Sequence, residues 1–242
     1  MALQIFETDP EARPAPRESA GHSRPDIAFN FRSGMQVPKE NGKGTKPLSL
    51  SAWRVLTHDQ SIADGMAELY GGTPEEYDPS KDMNLHVLTE AQTVNVVIDG
   101  PGAIEDKLIL WGPNGPLHEC DGVLFLSPPE EAGQPCGCPP LLKDRKKRAA
   151  DNRGPKPAIN VTFKLAGKGE DMGTGKLTIT AWTFVDIVAD VKNALAAVGE
   201  PALCELTLEH VEFPSATYGL VSYNKPVIKV LGSYNDAISE ER

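Results

Sequence analysis

The sequence predicts an α+β fold, with an antiparallel or mixed sheet, a few helices and a small loop insertion held together by cysteine and histidine side chains. Strand-like and helix-like segments follow one another irregularly, which disfavours the regular alternation of a doubly wound sheet. The 242 residues are 40% hydrophobic and include 22 glycines and 21 prolines, so a globular core and many loops are expected. Three of the four cysteines lie near a histidine in one short stretch.

The first fifty residues are rich in Pro, Arg and Gly and show little periodicity, which predicts an extended arm over residues 1–50. Within it, Ile27, Phe29 and Phe31 alternate with polar neighbours and predict a short docking strand. We expect Phe29 and Phe31 to be buried, either against the sheet or against a partner. Both are therefore candidate partner-binding residues.

A helix and several strands are predicted in the first half of the remaining chain. Asp59 or Ser61 can cap the helix, and Gly71-Gly72 ends it. Its apolar stripe consists of Ile62, Met66 and Leu69. The strands are predicted at residues 53–56, 85–88, 94–98 and 108–111.

The second half contains the most regular patterns. Residues 159–165 alternate strictly between apolar and polar side chains and predict a strand, which a glycine-rich turn joins to residues 177–180 as a hairpin. Residues 141–150 predict a basic helix. Thr183 is predicted to cap a longer helix that ends at Gly199-Glu200-Pro201. The inward side chains of this helix are Val185, Val188, Val191, Leu195 and Val198.

Two further strands are predicted near the C-terminus, at residues 203–213 and 227–231. The apolar face of the first changes phase between Leu208 and Val211, which predicts a bulge. Cys204 lies on the apolar face of this strand and is interpreted as a core residue. These elements predict a single α+β domain over residues 51–235 and a polar tail over residues 236–242.

The cysteine-rich segment, residues 117–139, predicts a zinc-knuckle-like site. His118 and Cys120 are spaced so that both face the same way in an extended segment. Gly137 allows Cys136 and Cys138 to turn around the same ion. Thiolate and imidazole are ligands that Zn²⁺ prefers, and four protein ligands define a structural site with no open position. We therefore predict structural Zn²⁺ held by His118, Cys120, Cys136 and Cys138.

Other interpretations of this segment remain open. A Cys120–Cys136 disulfide is one, although the lack of an apolar leader favours a reducing compartment. Solitary buried thiols and a merely hydrogen-bonded His118 are others. A zinc deaminase would need an H-x-E followed by P-C-x-x-C. Here Glu119 comes one residue too early, and Cys136 and Cys138 are one residue too close.

Charge is distributed unevenly along the chain. The net charge of -10 argues against a protein that simply coats nucleic acid. Residues 143–156, however, contain seven basic side chains and only two acidic ones. This segment is either a solvated helix face or a patch for an acidic partner or for DNA held by another protein, with Lys146, Lys147 and Arg148 as candidate contacts. No apolar run approaches the ~20 residues of a membrane span.

Several short motifs, in this order along nearly the full chain, carry a resemblance to a known family. They include Phe31-Arg32-Ser33-Gly34-Met35-Gln36, Leu50-Ser51-Ala52-Trp53-Arg54-Val55, Glu68-Leu69-Tyr70-Gly71-Gly72, Cys120-Asp121-Gly122-Val123, Pro135-Cys136-Gly137-Cys138-Pro139 and Lys225-Pro226-Val227-Ile228, with Phe6-Glu7-Thr8-Asp9-Pro10 near the start. The chain resembles the recombination directionality factors that actinobacteriophages encode for their large serine integrases. One departure concerns Asn152-Arg153-Gly154-Pro155, where more distant relatives have a further cysteine before a proline.

The resemblance implies a non-enzymatic regulator. Such a factor binds the integrase, in the accepted picture at its mobile coiled-coil subdomain, and switches it from integration to excision by recombining the prophage junctions. It reaches DNA only through the integrase, acts in the cytoplasm of the bacterial host and does not bind a membrane.

The alternative function is a phage single-stranded-DNA-binding or replication accessory protein. Its sheet would offer stacking aromatics beside basic residues. The candidate rings are Trp53, Trp111, Trp182 and Tyr223, although each falls more naturally on a core strand or its end. An enzyme lacks support, because the sequence contains no G-x-S-x-G and no H-E-x-x-H motif.

Overall fold

Strands and helices occur together throughout the computed structural model, which describes residues 26–39, 42–215 and 219–240. The strands are β1 Ile27–Pro38, β2 Thr45–Thr57, β3 Pro74–Glu76, β4 Leu85–Leu88, β5 Thr93–Ile98, β6 Ile104–Gly112, β7 Gly115–Cys120, β8 Phe125–Ser127, β9 Lys156–Leu165, β10 Thr174–Ile179, β11 Ala202–Ser215 and β12 Gly219–Ser233. The helices are α1 Gln60–Tyr70, α2 Leu142–Ala150, α3 Trp182–Val185, α4 Val188–Val198 and α5 Tyr234–Glu240. The fold is α+β, as predicted. Among the described residues, none of the helices is long and apolar enough to cross a membrane.

The described chain divides into two compact units. The smaller comprises residues 104–161 and 178–194, and the larger comprises the described residues of 26–103, 162–177 and 195–240. Strand β9 runs through both, since its first six residues belong to the smaller unit and the rest to the larger.

The larger unit is built on a mixed sheet. Its strands follow the order β12-β11-β5-β9-β10-β1-β2-β4-β3, in which β1 pairs with β10 in parallel and with β2 antiparallel. Strand β11 pairs antiparallel with both β12 and β5. Alternate side chains of these strands form the core, as the period-two patterns predict.

Phe29 and Phe31 lie in this core. Both are fully buried, and their rings lie 6.0 and 5.3 Å from the ring of Phe163. Gly175 on the neighbouring β10 makes room for them, because a Cβ there would come within 2.2 Å of the Phe29 ring. Of the two predicted alternatives, the structure shows the rings buried against the sheet, where neither ring is exposed to a partner.

The smaller unit contains the meander β6-β7-β8, and the first part of β9 pairs with the other edge of β6. Helices α2 and α3 and the first turns of α4 belong to the same unit. A buried ion pair joins Lys192 of α4 to Asp106 of β6. A pair of opposite charges thus lies in the interior of this unit.

Most predicted elements are present. Helix α1 has the predicted cap, since the Asp59 carboxylate accepts a hydrogen bond from the Ser61 backbone N–H at 2.8 Å. Helix α2 matches the predicted basic helix to within one residue. The segments predicted as strands all lie within observed strands, apart from the end residue Thr180.

The predictions at the two ends of the chain differ from the structure where it can be compared. Residues 27–38 and 45–50, which lie in the predicted arm, are paired strands, and β1 is longer than a short docking strand. Residues 236–240 of the predicted polar tail belong to helix α5. Residues 1–25, including the motif at Phe6-Glu7-Thr8-Asp9-Pro10, lie outside the described residues, as do residues 241–242.

The helix predicted to start at Thr183 is instead two helices, α3 and α4. Thr183 lies inside α3 rather than at a cap. The backbone N–H groups of Phe184 and Ile187 each donate to a carbonyl three residues earlier, whereas that of Val191 donates to the carbonyl four residues earlier. This tighter i→i−3 turn separates the two helices.

The bulge predicted between Leu208 and Val211 is also absent. The pairing of β11 with β12 continues without a shift from Cys204 to Ser215. The apolar pattern changes at Leu208 because β11 pairs with β5 only up to Thr207 and extends beyond it into solvent. The phase change therefore marks the end of burial and not a change of register.

Candidate metal centre

Strand β7 places the first two predicted ligands. His118 and Cys120 lie two residues apart and are paired with Leu110 and Leu108 of β6, so their side chains lie on the same face. Cys120 is fully buried. The His118 ring packs against the ring of Phe125, with the two centroids 4.6 Å apart. Packing thus restrains this imidazole before any ion is bound.

A tight turn follows Cys120 and brings back the second pair. The buried Asp121 carboxylate accepts hydrogen bonds from the backbone N–H groups of Val123 and Leu124, both at 2.8 Å. The Val123 carbonyl in turn accepts a hydrogen bond from the Cys136 backbone N–H at 2.8 Å. Gly137 then adopts a φ of 66°, which glycine adopts at low cost and which turns the chain between the two cysteines.

These turns bring four ligand atoms together. One nitrogen of His118 and the sulfur atoms of Cys120, Cys136 and Cys138 all lie within 4.8 Å of one another. The sulfurs of Cys120 and Cys138 are 3.8 Å apart, and the sulfur of Cys138 is 3.5 Å from Nε2 of His118. A tetrahedral Zn²⁺ with ordinary bond lengths would set these separations at about 3.8 Å and about 3.6 Å. These two separations match a tetrahedral site, and the group could therefore hold a metal ion.

The three thiols of the cluster share protons, so that the thiolate form is favoured at one of them, Cys136. Hydrogen bonds from the Cys120 and Cys138 thiols lower the pKa of Cys136 well below its usual range. The same sharing of protons, together with burial, raises the pKa of Cys120. A divalent cation would replace the shared protons and stabilise all three thiolates together.

Cys204, in contrast, is a core residue, as predicted. It is fully buried on β11, and burial raises its pKa to about 12. It belongs to the other unit and offers no ligand to this group.

Glu119 is held away from a catalytic role. It lies between His118 and Cys120, so its side chain is on the opposite face of β7. Its carboxylate accepts hydrogen bonds from the Lys107 ammonium at 2.7 Å and from the Ser127 hydroxyl at 3.0 Å. This geometry agrees with the sequence argument against a zinc deaminase.

Helix α2 supports both loops of the cluster through two arginines. The Arg145 side chain donates from Nε to the Pro139 carbonyl at 2.5 Å and from Nη2 to the Gly122 carbonyl at 2.7 Å. Arg148 donates from Nη1 to the Gly137 carbonyl at 3.3 Å. The sequence analysis does not single out Arg145, which is there one of the seven basic side chains of residues 143–156. The available signal was its spacing from Leu142 and Ala149, which places it on the inner face of the helix.

The other predicted contacts on α2 face solvent to different degrees. Lys147 and Arg148 are exposed, and Lys146 is half-buried. Within the described part of the chain, no carboxylate forms an ion pair with Lys146 or Lys147. This lysine pair therefore remains available to an anionic partner.

The candidate stacking rings do not form one platform. Trp53 is fully buried, and Trp182 and Tyr223 are half-buried. Trp111 was also expected near the core, but 66% of it is exposed at the end of β6. A single exposed indole is weak support for the stacking of successive bases.

Comparison with known proteins identifies the family. No solved structure matches this chain. A family model described as Gp3-like, recombination directionality factor-like, matches residues 30–223 and thus includes the metal centre and α2. Because this match covers most of the chain, the protein belongs to the Gp3-like family of recombination directionality factor-like proteins.

Proposed function

We propose that this protein is a phage recombination directionality factor that binds a large serine integrase and switches it from integration to excision. The observation that carries the proposal is the family match over residues 30–223. The order of short motifs along the chain supports the more specific assignment to integrases of actinobacteriophages. The proposed function implies action in the cytoplasm of the bacterial host.

The proposed mechanism is a shift of population between alternative synaptic complexes, with no chemistry on the DNA by this chain. A partner that prefers one arrangement redirects an equilibrium in proportion to its differential affinity. Reversing a 99:1 preference takes about 5.5 kcal/mol, which a protein–protein contact can supply. We propose contact with the coiled-coil subdomain of the integrase, so that the acidic chain reaches DNA only through its partner.

The cofactor that we propose is structural Zn²⁺. Three thiolates and one imidazole are a donor set that Zn²⁺ prefers, and the spacings of the cluster agree with tetrahedral coordination. When bound, the ion would join β7 to the loop that carries Cys136 and Cys138. With all four positions taken by protein, the site would stabilise the fold of the smaller unit and leave no position for a substrate.

Reconstituted recombination tests the function directly. In the presence of a cognate integrase, the protein is expected to stimulate recombination between prophage junctions and to suppress integration over the same concentration range. Linkage ties the two midpoints together, because a single bound species causes both effects. Both midpoints are measured by titrating the protein into each of the two reactions. Widely separated midpoints, or inhibition without stimulation at any concentration, would contradict the mechanism.

The same purified protein can be used to distinguish the directionality factor from the alternative, a single-stranded-DNA-binding protein. A mobility-shift assay with single-stranded DNA alone, and then with integrase bound to junction DNA, distinguishes the two. A supershift that needs integrase supports the directionality factor. Strong binding to bare single strands would instead favour the accessory DNA-binding protein, with Trp111 as its stacking residue.

The three lysines of α2, Lys143, Lys146 and Lys147, provide a second test of the proposed function. Replacing Lys143, Lys146 and Lys147 with glutamine should raise the concentration needed for stimulation by up to about tenfold and should weaken its dependence on salt. Arg148 is left unchanged because it contacts the Gly137 carbonyl. Stimulation titrated at several ionic strengths measures the effect.

The matched control replaces three exposed lysines of the larger unit, Lys81, Lys164 and Lys229, with glutamine. It changes the net charge by the same amount and should leave the titration almost unchanged. Equal effects of the two triple variants would show that only overall charge matters and would remove α2 from the proposed interface.

A further inference from the structure

Arg145 differs from the other cations of the basic run. Its side chain is buried, with only 3% of the residue exposed. Among the described residues, no carboxylate forms an ion pair with it. A guanidinium stays protonated in proteins, so a full positive charge is buried here. Such a charge is costly unless an opposite charge compensates for it.

The hydrogen bonds of Arg145 account for only part of its donors. Nε and Nη2 donate to the carbonyls of Pro139 and Gly122, which are the residues next to Cys138 and Asp121. Nη1 is buried and has no hydrogen-bond acceptor among the described residues. Arg145 and Cys138 line the same small cavity, whose volume is about 10 Å³. The uncompensated cation therefore lies beside the thiol cluster.

With a divalent ion bound, the cluster would carry a net negative charge, opposite to that of Arg145. A divalent ion with three thiolates and one neutral imidazole carries a net charge of -1, and the centre would be buried with that charge. The other buried cations of the smaller unit are paired, Lys107 with Glu105 and Glu119 and Lys192 with Asp106. Among the described residues of this unit, Arg145 is therefore a buried cation that no carboxylate compensates.

We propose that Arg145 is the counter-charge and positioning residue of the metal centre. Its guanidinium neutralises the tris-thiolate complex, while its two carbonyl contacts hold together the loops that carry Cys120 and Cys138. The inference rests on the proposed metal site and adds to it a residue outside the ligand set.

The test compares metal affinity among three variants of the full chain. Arg145→Met keeps most of the side-chain volume but removes the charge and the hydrogen bonds, and should weaken Zn²⁺ binding about 10-fold to 100-fold. Arg145→Lys keeps the charge and should lose less of the affinity for Zn²⁺. Arg153→Met is the control, because Arg153 is exposed and pairs with Asp151, and it should bind Zn²⁺ like the wild type. Competition with a chromophoric chelator measures all affinities, and circular dichroism verifies the fold.

Acidification distinguishes a charge role from a purely structural one. Without the guanidinium the thiolates are less stabilised, so protons should displace the metal at a higher pH from Arg145→Met than from the wild type or Arg145→Lys. Wild-type affinity in Arg145→Met would overturn the proposal, and so would equal weakening of both Arg145 variants without a shift in the release pH. A wild-type protein that takes up no metal would overturn the metal site as well. Recombination by that same protein would show that the proposed function stands independently.

Discussion

Cys138→Ser is expected to release the metal and to destabilise the protein more than the same substitution at Cys204, the cysteine outside the cluster. The sulfur of Cys138 lies 3.8 Å from the Cys120 sulfur and 3.5 Å from the His118 nitrogen, so its loss would remove a central ligand. Losing a structural ion removes binding energy that contributes to folding. If that contribution is about 3–5 kcal/mol, the melting temperature should fall by about 6–20 °C in a chain of this size. Metal analysis and thermal melts measure both effects.

Cys204→Ser provides the matched control for this prediction. It makes the same chemical change at a buried position on β11, outside the cluster. It should retain about one zinc per chain and be destabilised less than Cys138→Ser. Because it keeps its zinc, an excess of chelator should lower its melting temperature further. Reduced wild-type protein that contains no zinc and whose stability is insensitive to chelator would disprove the site.

The second large effect is expected at the ion pair between Asp106 and Lys192. Lys192→Met should reduce the free energy of unfolding by about 3–5 kcal/mol, because it leaves a carboxylate buried without its ammonium partner. Chemical denaturation of the purified variant measures the loss.

The double variant Asp106→Leu with Lys192→Met separates this cause from lost packing. Removing both charges should recover most of the stability, since apolar side chains of similar volume replace the pair. If the double variant is as unstable as the sum of two single variants, the pair is not energetically coupled. A loss below about 1 kcal/mol in Lys192→Met would show that water compensates for the charge of Asp106.

The grouping of the four candidate ligands could be predicted from the sequence because much of their geometry is local. A two-residue spacing on a strand and a Cys-Gly-Cys turn determine most of the relative positions of His118, Cys120, Cys136 and Cys138. Strict alternation likewise predicted β9, and Asp59 predicted the start of α1. In each case the decisive contacts join residues that are close in sequence.

The features that were missed depend on distant contacts. The guanidinium of Arg145 meets two carbonyls of separate loops, and no periodicity reveals these acceptors. Asp106 and Lys192 are 86 residues apart. The parallel pairing of β1 with β10 likewise joins distant segments, so residues that read as an arm became an inner strand. The end of burial at Leu208 depends on where the antiparallel neighbour β5 begins, at Thr93, which the pattern of β11 alone does not contain.

The compactness of the ligand set along the chain has a consequence for synthesis. All four ligands have been translated once Cys138 is added, before β9 or Lys192 exists. The loop between Cys120 and Cys136 is short, so the entropy lost on closing it is small. We therefore expect the nascent chain to capture zinc during translation. In cell-free synthesis, chelator added before translation should lower the yield of folded protein more than chelator added afterwards, and equal yields would contradict capture on the ribosome.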